Sequence, residues 1–213
     1  MIETKHKILD TAERLIAEQG YAATSLRHII AEAGVNLAAI HYHFGSKEEL
    51  LDEVILRKAE PMNQERLARL DQAEMEAAPK PPAVKAILAA FLRPMAEMAD
   101  RDPSFVAVMG RIIAEGLLPA VVQRHFQHVS ARILGALRRA VPRLSEEEFA
   151  WRTHFMFGAM AFTMCAAGNF PHPAAQGDFR ERIERLITFV AAGMEAPETE
   201  IAKSAEMSNR EVK

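Results

Sequence analysis

The segment TSLRHIIAEAGVNLAAIHYHFGSK, residues 24–47, decides the fold of this chain. Its first part carries apolar residues at spacings of three and four, which is typical of a helix that buries one face. Gly34 follows this pattern directly, and glycine readily adopts the left-handed conformation that ends a helix with a sharp turn. The sequence therefore predicts a short helix that buries Leu26, Ile29, Ile30 and Ala33.

A second short helix is predicted immediately after this turn. Asn36 is a residue type that caps helix starts with its side chain. Leu37, Ile40 and Phe44 follow at helical spacing and are expected to be buried. Two helices joined by a tight turn, the second with small and hydrogen-bonding residues outward, are suited to entering the major groove of DNA. The outward positions are Ala38, Ala39, His41, Tyr42 and His43.

From Thr4 to about Leu56 the chain resembles the DNA-binding domain of the TetR family of transcriptional regulators. Three pieces in the family's order and spacing carry this resemblance: KILDTAERLIAEQGYAATS, IIAEAGVN and HFGSKEEL. The resemblance implies an all-α fold of about nine helices. An N-terminal three-helix helix-turn-helix domain would bind DNA, and a larger helical domain would bind a ligand and dimerise. The chain departs from the family pattern at Ile30, at Ala38-Ala39 and at His41, where the family usually has tyrosine.

Composition and charge narrow the class of protein further. Aromatic residues make up only 7% of the 213, and no period-2 strand pattern is present, so helices are favoured over sheets. The net charge of −3 argues against a non-specific DNA binder with a broad basic patch. The single cysteine, Cys165, excludes an internal disulfide, and no signal peptide is expected at the charged N-terminus. The longest apolar run, Phe155–Ala167, is too short to span a bilayer, so we expect a cytoplasmic protein.

Cap and proline signals divide the chain into domains. Ser46 and Glu49 form a capping box that starts a long helix, which Pro61 is expected to kink or interrupt. The segment EAAPKPP at 76–82 is expected to connect helices, and a single helix is expected between the prolines at 119 and 142. The predicted units are a DNA-binding domain at 1–46, a ligand-binding and dimerisation domain at 47–196, and a disordered tail at 197–213. The helix that starts at residue 47 is the predicted link.

Helix starts and outward side chains supply the candidate DNA contacts. Free N–H groups and the helix dipole make helix N-termini suitable for binding phosphate. By resemblance, Thr24, Tyr42 and His43 are expected at the DNA backbone. Lys47 would add a charged anchor, and Arg27 would read base edges together with the second helix. A purely structural cap is the alternative for the asparagine at the start of that helix. The predicted DNA-binding residues are Thr24, Ser25, Arg27, Asn36, Leu37, Ala38, Ala39, His41, Tyr42, His43 and Lys47.

The larger domain supplies a candidate ligand site. Methionine and phenylalanine recur on its predicted helical faces, and methionine adapts its shape in tolerant apolar pockets. Pro94 leaves a carbonyl unbonded within a predicted helix, and polar side chains near apolar faces would anchor a ligand. An ordinary packed core is the alternative for most of these residues. The predicted ligand-binding residues are Phe91, Met95, Met98, Phe105, Met109, Arg111, Ile112, Phe126, His154 and Met156.

The last two predicted helices offer a dimer surface. Small residues on them would let helices approach closely, and two helices from each subunit would form a four-helix bundle, as the resemblance also implies. Burial within a single chain is the alternative. The predicted interface residues are Trp151, Phe155, Gly158, Ala159, Phe162, Ile183, Leu186, Ile187 and Val190.

The leading hypothesis is a repressor that binds a palindromic DNA operator as a homodimer and is released by a small apolar effector. The AAIHYHFGSK variant resembles family members that respond to fatty acids or acyl-CoA. A helical carrier or scaffold for an apolar ligand, and a transcriptional activator of the same fold, are the alternatives. An enzyme is not expected, because no phosphate-binding loop, dinucleotide fingerprint or nucleophile motif is present. No cofactor is expected, and no metal site, because the histidines lack ligand spacing.

Overall fold

The computed structural model describes residues 2–36, 40, 42–165 and 178–198, and within these ranges it is helical without strands. Among the residues described, no helix combines the length and apolar character that a membrane-spanning segment needs. The helices are α1 (Ile2–Gln19), α2 (Leu26–Ala33), α3 (Lys47–Ala77), α4 (Val84–Arg101), α5 (Pro103–Ala114), α6 (Leu118–Val121), α7 (Gln127–Ala140), α8 (Glu146–Cys165) and α9 (Phe179–Glu195), with a π-helical turn at Val122–Phe126 between α6 and α7. The all-α prediction is confirmed.

The turn and cap signals of the N-terminal segment act as the sequence predicts. Gly34 lies in the left-handed region at φ 60°, and its backbone N–H closes the end of α2. Ser46 accepts a hydrogen bond from the Glu49 N–H at 3.1 Å, and the Glu49 carboxylate accepts one from the Ser46 N–H at 2.9 Å. Residues 40, 42 and 43 are helical. Leu37, Ala38, Ala39 and His41 lie outside the described residues.

The internal prolines do not divide the helices that contain them. Pro61 lies within α3, which continues for 31 residues from Lys47 to Ala77, so of the two predicted effects, a kink or an interruption, the interruption does not occur. Pro94 is likewise contained in α4. A proline removes one helical hydrogen bond, and packing on neighbouring helices can compensate for that loss. The connection at 76–82 is confirmed in position, because α3 ends at Ala77 and α4 starts at Val84.

The single helix expected between residues 119 and 142 is also corrected. The structure has the one-turn helix α6, then the π-helical turn Val122–Phe126, and only then α7. A π-helical turn inserts one extra residue per turn and is often found at functional sites. At the other end of the body, the Pro197 carbonyl accepts a hydrogen bond from Arg152 at 2.8 Å, so the predicted tail begins in contact with the fold. Residues 199–213 lie outside the described residues.

Two separate hydrophobic clusters organise the chain. The first, which we call the reader core, joins α1, α2, residue 40, Phe44 and the first turns of α3. The second, which we call the body core, joins α3 from Leu51 onward with α4 to α9 and includes Ile16 of α1. The buried members of the reader core are Ile8, Leu9, Ala12, Leu15, Ile29, Ile40, Phe44, Leu50 and Val54. We call the segment up to residue 46 the reader and the remainder the body.

Helix α3 is shared between the two cores. Leu50 and Val54 belong to the reader core, whereas Leu51 and Ile55 belong to the body core. Residues four apart lie on the same face of a helix, so each pair forms one stripe and the two stripes lie side by side. The same helix therefore packs against the reader at its start and against the body along its whole length.

Candidate nucleic-acid interface and ligand cavity

The outward residues of the reader that the structure describes are Arg27, Tyr42 and His43. Arg27 is exposed at the start of α2. Tyr42 is 73% exposed, and its ring meets the half-buried His43 ring edge-on, with centroids 5.1 Å apart. A large aromatic side chain with this exposure is not part of the reader core. These three residues lie where the sequence predicts outward, hydrogen-bonding side chains.

Thr24 and Ser25 serve the reader's own structure. Thr24 is fully buried, and its hydroxyl donates to the Gly20 carbonyl at 2.7 Å, which argues against the predicted contact of this side chain with the DNA backbone. The Ser25 hydroxyl is the N-cap of α2 and accepts a hydrogen bond from the His28 N–H at 3.1 Å. Capping satisfies a backbone donor that would otherwise lack a partner. Asn36 is exposed after α2 ends.

Lys47 has an intramolecular role that the sequence did not indicate. Its ammonium donates to the Tyr21 carbonyl at 2.6 Å and lies 4.0 Å from the centroid of the Tyr21 ring. Burial lowers the pKa of Lys47, while the nearby Glu115 carboxylate acts in the opposite direction. An ammonium has three N–H donors, so two remain for other acceptors. Lys47 thus fixes the turn after α1 at the start of α3.

The same turn is held from the body by Arg111 of α5 and by Glu115, the residue directly after that helix. The Glu115 carboxylate accepts hydrogen bonds from the N–H groups of Tyr21 and Ala22, both at 2.8 Å. Arg111 donates to the Glu18 carbonyl at 2.8 Å. We call these contacts the α5 clasp. They correct the prediction that Arg111 binds the ligand: the side chain is exposed and turned towards α1, because its guanidinium satisfies carbonyls at the end of that helix.

A second set of contacts connects reader and body beside the clasp. Arg57 of α3 pairs with Asp10 and Glu13 of α1, and Ser104 at the start of α5 also donates to Glu13. Glu13 is only 4% exposed, so its charge depends on these donors. The reader is therefore held by both α3 and α5.

Two of the four Lys and Arg residues of the reader are paired within the chain. Arg14 forms ion pairs with Glu18 at 3.1 Å and Glu32 at 2.7 Å, and Lys5 pairs with Glu53 at 3.0 Å. In the part of the reader that the structure describes, Lys7 and Arg27 are exposed cations that form no ion pair. Lys7 was not among the predicted DNA contacts, because only the fold shows which basic residues have acidic neighbours.

The body contains an apolar cavity of about 410 Å³. It lies between α3, α4, α5, the π-helical turn, α7 and α8, and Met62 and Arg66 of α3 form part of its wall. Five predicted ligand-binding residues line it: Phe91, Met95, Phe105, Met109 and Phe126. The sequence analysis missed its other lining residues, which are Met62, Arg66, Ile113, Leu118, Pro119, Val122, Ser130, Leu134, Phe157, Met160, Ala161 and Met164.

The remaining predicted ligand-binding residues lie elsewhere. Ile112 and Met156 are buried in the body core without reaching the cavity, and Met98 packs against that core from a half-buried position. His154 is exposed on α8, with its ring 6.0 Å from that of Trp151. Helical periodicity identified the apolar faces, but it does not distinguish a residue that fills the core from one that borders a cavity.

Arg66 is the charged residue of the cavity wall. It is only 3% exposed and donates from Nε to the Phe91 carbonyl at 2.8 Å and from Nη1 to the Asn63 side-chain oxygen at 3.2 Å. Its guanidinium lies 4.5 Å from the centroid of the Phe91 ring. Burial lowers the pKa of Arg66 to about 9. No sequence signal marked this residue, because an arginine on a charged helix usually faces solvent.

Helix α8 presents an apolar face to solvent. Trp151, Phe155 and Phe162 are 53%, 62% and 57% exposed, and the first two rings stack with centroids 5.8 Å apart. Gly158 is exposed between them, and a side chain there would meet no atom within 4 Å. Phe189 of α9 is 72% exposed and was missed. These side chains form an apolar surface that is exposed to solvent in the single chain.

The predicted α9 interface residues occupy a different place. Ile183, Leu186, Ile187 and Val190 are at most 7% exposed and belong to the body core of their own chain, which corrects their assignment to a dimer surface. Ala159 of α8 is half-buried against the same core. The α9 positions form the inner stripe of an amphipathic helix that packs on α4, and Phe189 lies outside that stripe.

Within the described ranges, no three His, Cys, Asp or Glu side chains cluster as metal ligands would.

Comparison with known proteins agrees with this architecture. Residues 8–54 match the family model described as bacterial regulatory proteins of the tetR family, and residues 86–193 match the tetracyclin repressor-like C-terminal domain. The chain is 46% identical over 52 residues to the HTH-type transcriptional regulator AcrR of Shigella flexneri and 41% identical over 49 residues to the HTH-type transcriptional repressor KstR2 of Rhodococcus jostii. Each alignment spans 24% of the relative's length and about the same share of this chain.

The fold also matches solved structures along nearly its whole length. The fatty acid degradation regulator FadR from Bacillus halodurans superposes with a TM-score of 0.69 at 15% identity, covering 91% of this chain and 97% of that one. Identity at this level shows a shared fold alone. The family models, however, cover both the reader and most of the body, and the body model alone accounts for half of the chain. The protein is a member of the TetR family of helix-turn-helix, DNA-binding transcriptional regulators.

Proposed function

We propose that this protein is a ligand-responsive repressor that binds a palindromic operator as a homodimer and is released when a small, largely apolar effector occupies the body cavity. The observation that carries the proposal is the placement of α3. Its start supplies Leu50 and Val54 to the reader core, and Met62 and Arg66 of the same helix border the cavity. A ligand that shifts α3 or its neighbours would therefore move the reader.

Helix α5 supports the same coupling from the other side. Phe105 and Met109 line the cavity, while Arg111 of this helix and Glu115 at its C-cap form the α5 clasp on the reader turn. Ligand binding shifts an equilibrium only if the ligand has different affinities for the two states. The cavity wall and the clasp are on one rigid element, so a ligand that displaces α5 changes the energy of the reader's position.

The exposed face of α8 supports the homodimer. Trp151, Phe155, Gly158 and Phe162 recur at spacings of four, three and four and so share one side of the helix. Large exposed apolar patches on soluble proteins commonly mark interfaces. A single helix-turn-helix reads only half of an operator, so a two-fold dimer with readers about one helical turn of DNA apart explains both features.

The DNA contacts follow from exposure and charge. We propose Arg27 for base edges and Tyr42, His43 and Lys7 for the DNA backbone, with Lys47 using its two remaining N–H donors. From the resemblance, Leu37, Ala38, Ala39 and His41 are proposed to complete the major-groove surface. Ser25 caps the start of α2, and Asn36 is proposed to start the recognition helix; backbone N–H groups at helix starts suit phosphate. The name of the curated relative KstR2, a repressor, favours repression over activation for this protein.

Fluorescence anisotropy with labelled DNA from beside the protein's own gene tests the proposal. Specific, saturable binding is expected. Arg27→Ala should weaken it by about 1–3 kcal/mol and relax one base position. Lys7→Ala should weaken binding to all sequences and reduce the salt dependence by about one phosphate contact. Arg185→Ala, on an exposed ion pair of α9, is the matched control and should bind as the unmodified protein does.

Failure to bind any duplex at low salt, together with tight binding of apolar ligands, would support a ligand carrier instead. Equal loss of affinity in the Arg27 variant and the Arg185 control would contradict the assignment of Arg27. Higher transcription of the target gene in the presence of the unliganded protein would contradict repression.

A further inference from the structure

Arg66 places a charged group in a cavity that is otherwise lined almost entirely by carbon and sulfur. Among the described lining residues, Ser130 is the only one besides Arg66 with a polar side chain. No carboxylate among the described residues forms an ion pair with Arg66, and burial is the single cause that lowers its pKa. At about 9, that pKa still leaves the guanidinium cationic at neutral pH. A buried charge without a counter-ion is unfavourable unless another group balances it.

The hydrogen bonds of Arg66 hold the guanidinium in place without satisfying it. A guanidinium has five N–H donors, and the described residues accept hydrogen bonds from Nε and Nη1 only. Both acceptors, the Phe91 carbonyl and the Asn63 amide oxygen, are neutral. Nη2 has no acceptor among the described residues, and Arg66 forms part of the cavity wall. The side chain is thus oriented in advance for an acceptor that comes from the cavity.

We propose that the effector is an anionic amphiphile, whose carboxylate or phosphate head group pairs with Arg66 and whose apolar tail lies in the cavity. This inference rests on the proposed ligand-responsive function and specifies its ligand class. Arginine binds carboxylate and phosphate through parallel N–H donors, and such charge-assisted hydrogen bonds are stronger than neutral ones. In a dry cavity the pairing gains further, because the electrostatic interaction is less screened.

The rest of the cavity is suited to the tail. Met62, Met95, Met109, Met160 and Met164 line it, and methionine side chains adjust to flexible apolar ligands. The volume of about 410 Å³ is within the range of small-molecule pockets. An apolar ligand with no charge would also fit this surface. It would, however, leave the guanidinium without a counter-ion, so the charge of Arg66 discriminates between the two ligand types.

The head group would also lie at a junction of the body. Asn63, the partner of Arg66, donates to the His125 carbonyl in the π-helical turn at 2.8 Å. The His125 ring in turn contacts the Asp52 carboxylate at 2.9 Å, and Asp52 lies between the reader-core residues Leu50 and Val54 of α3. An anion at Arg66 would therefore act on α3 and the π-helical turn together.

Isothermal titration calorimetry on the full chain without DNA tests the inference. The probes share one tail: dodecanoate, dodecyl phosphate, dodecanol and dodecylammonium. We expect at least one anion to bind about tenfold or more tightly than dodecanol, and dodecylammonium to bind most weakly. The comparison of dodecanoate with dodecyl phosphate identifies the preferred head group. Equal affinity for the anions and dodecanol, or no binding of either anion, would overturn the inference without any variant.

Two matched variants test whether Arg66 causes the preference for the anion over dodecanol. Arg66→Gln should reduce the preference for the anion over dodecanol to about twofold or less while the affinity for dodecanol stays unchanged. Arg69→Gln is the control on the same helix, because its guanidinium pairs with Glu65 and Glu97 outside the cavity, and it should keep the full preference. Circular dichroism verifies that both variants fold. An Arg66→Gln protein that folds and keeps the preference would contradict the role of Arg66.

The measurement separates this inference from the proposed function. Operator binding without any preference for anions would contradict the ligand class alone. A clear preference for anions, with operator affinity unchanged at saturating ligand, would contradict the ligand-responsive regulation and leave the site assignment intact.

Discussion

Replacement of Glu115 by alanine should both destabilise the protein and separate the reader from the body. The substitution removes two hydrogen bonds from backbone N–H groups of Tyr21 and Ala22 to a carboxylate. Hydrogen bonds to charged groups contribute about 1.5–3 kcal/mol each. Because Glu115 is half-exposed, solvent screening reduces this to about 1 kcal/mol each, or about 2 kcal/mol in total. For a chain of this size that loss should lower Tm by about 4–8 °C.

Thermal unfolding followed by circular dichroism measures this change. Glu115→Gln keeps the shape and one acceptor oxygen, so its Tm should lie between those of the unmodified protein and Glu115→Ala. Glu181→Ala removes an exposed ion pair with Arg185 and is the control, with an expected change of at most about 0.5 kcal/mol. A Glu115→Ala protein as stable as that control would refute the reasoning.

Gly20 provides an independent check on the same contact. It lies at φ +92°, and a side-chain carbon at this position would collide with the Glu115 carboxylate. Gly20→Ala should therefore push the Glu115 side chain aside, and it should cost the left-handed strain together with the two Glu115 hydrogen bonds. In a Glu115→Ala background the collision is absent and only the left-handed strain of about 1–2 kcal/mol remains. Additive effects of the two substitutions would contradict the proposed contact.

The remaining predictions concern the dimer, a cap and acid stability. Phe155→Glu should yield a folded monomer in sedimentation velocity, because the side chain is exposed in the single chain and its proposed partner is a second copy; an unchanged dimer would exclude this face. Ser46→Ala should cost about 1 kcal/mol in chemical denaturation, since it removes the α3 capping box; no loss would show that α3 is fixed by packing alone. Hydrogen bonds from Arg69 lower the pKa of Glu97 in the folded state. The pair therefore stabilises the folded protein at pH values above the ordinary carboxyl pKa, and this stabilisation is lost as the pH falls through the lowered pKa. Glu97→Gln should flatten this part of the acid-unfolding profile, and an unchanged profile would contradict the assignment.

The fold was largely predictable where local chemistry decides it. Gly34 ends α2, the Ser46 capping box starts α3, and Ile40 and Phe44 are buried at the predicted spacing. Each of these features depends on residues within one or two turns of each other, which is the range that a sequence pattern reports. The reader was therefore predicted almost element by element.

The cavity and the connection between reader and body were less predictable. Arg66 is buried because α4 covers it, and Arg111 faces α1 because the end of that helix lies beside α5. These contacts join residues that are distant in sequence, so no periodicity reveals them. The incorrect assignment of the α9 residues to the dimer surface has the same reason. Ile187 lies on a predicted apolar face, but the sequence does not show whether this face packs on its own chain or on a second subunit.

The separation of the two hydrophobic cores has a consequence for how such a protein can diversify. If the protein acts as proposed, substitutions confined to the reader core would change the choice of operator, and substitutions around the cavity would change the choice of effector. The contacts that join reader and body must remain compatible, among them those of Lys47, Arg57, Arg111 and Glu115 and the packing of Leu50 and Val54 into the reader core. A chimera whose first 46 residues come from another regulator, with these contacts between reader and body retained, should respond to the same small molecule at a different promoter.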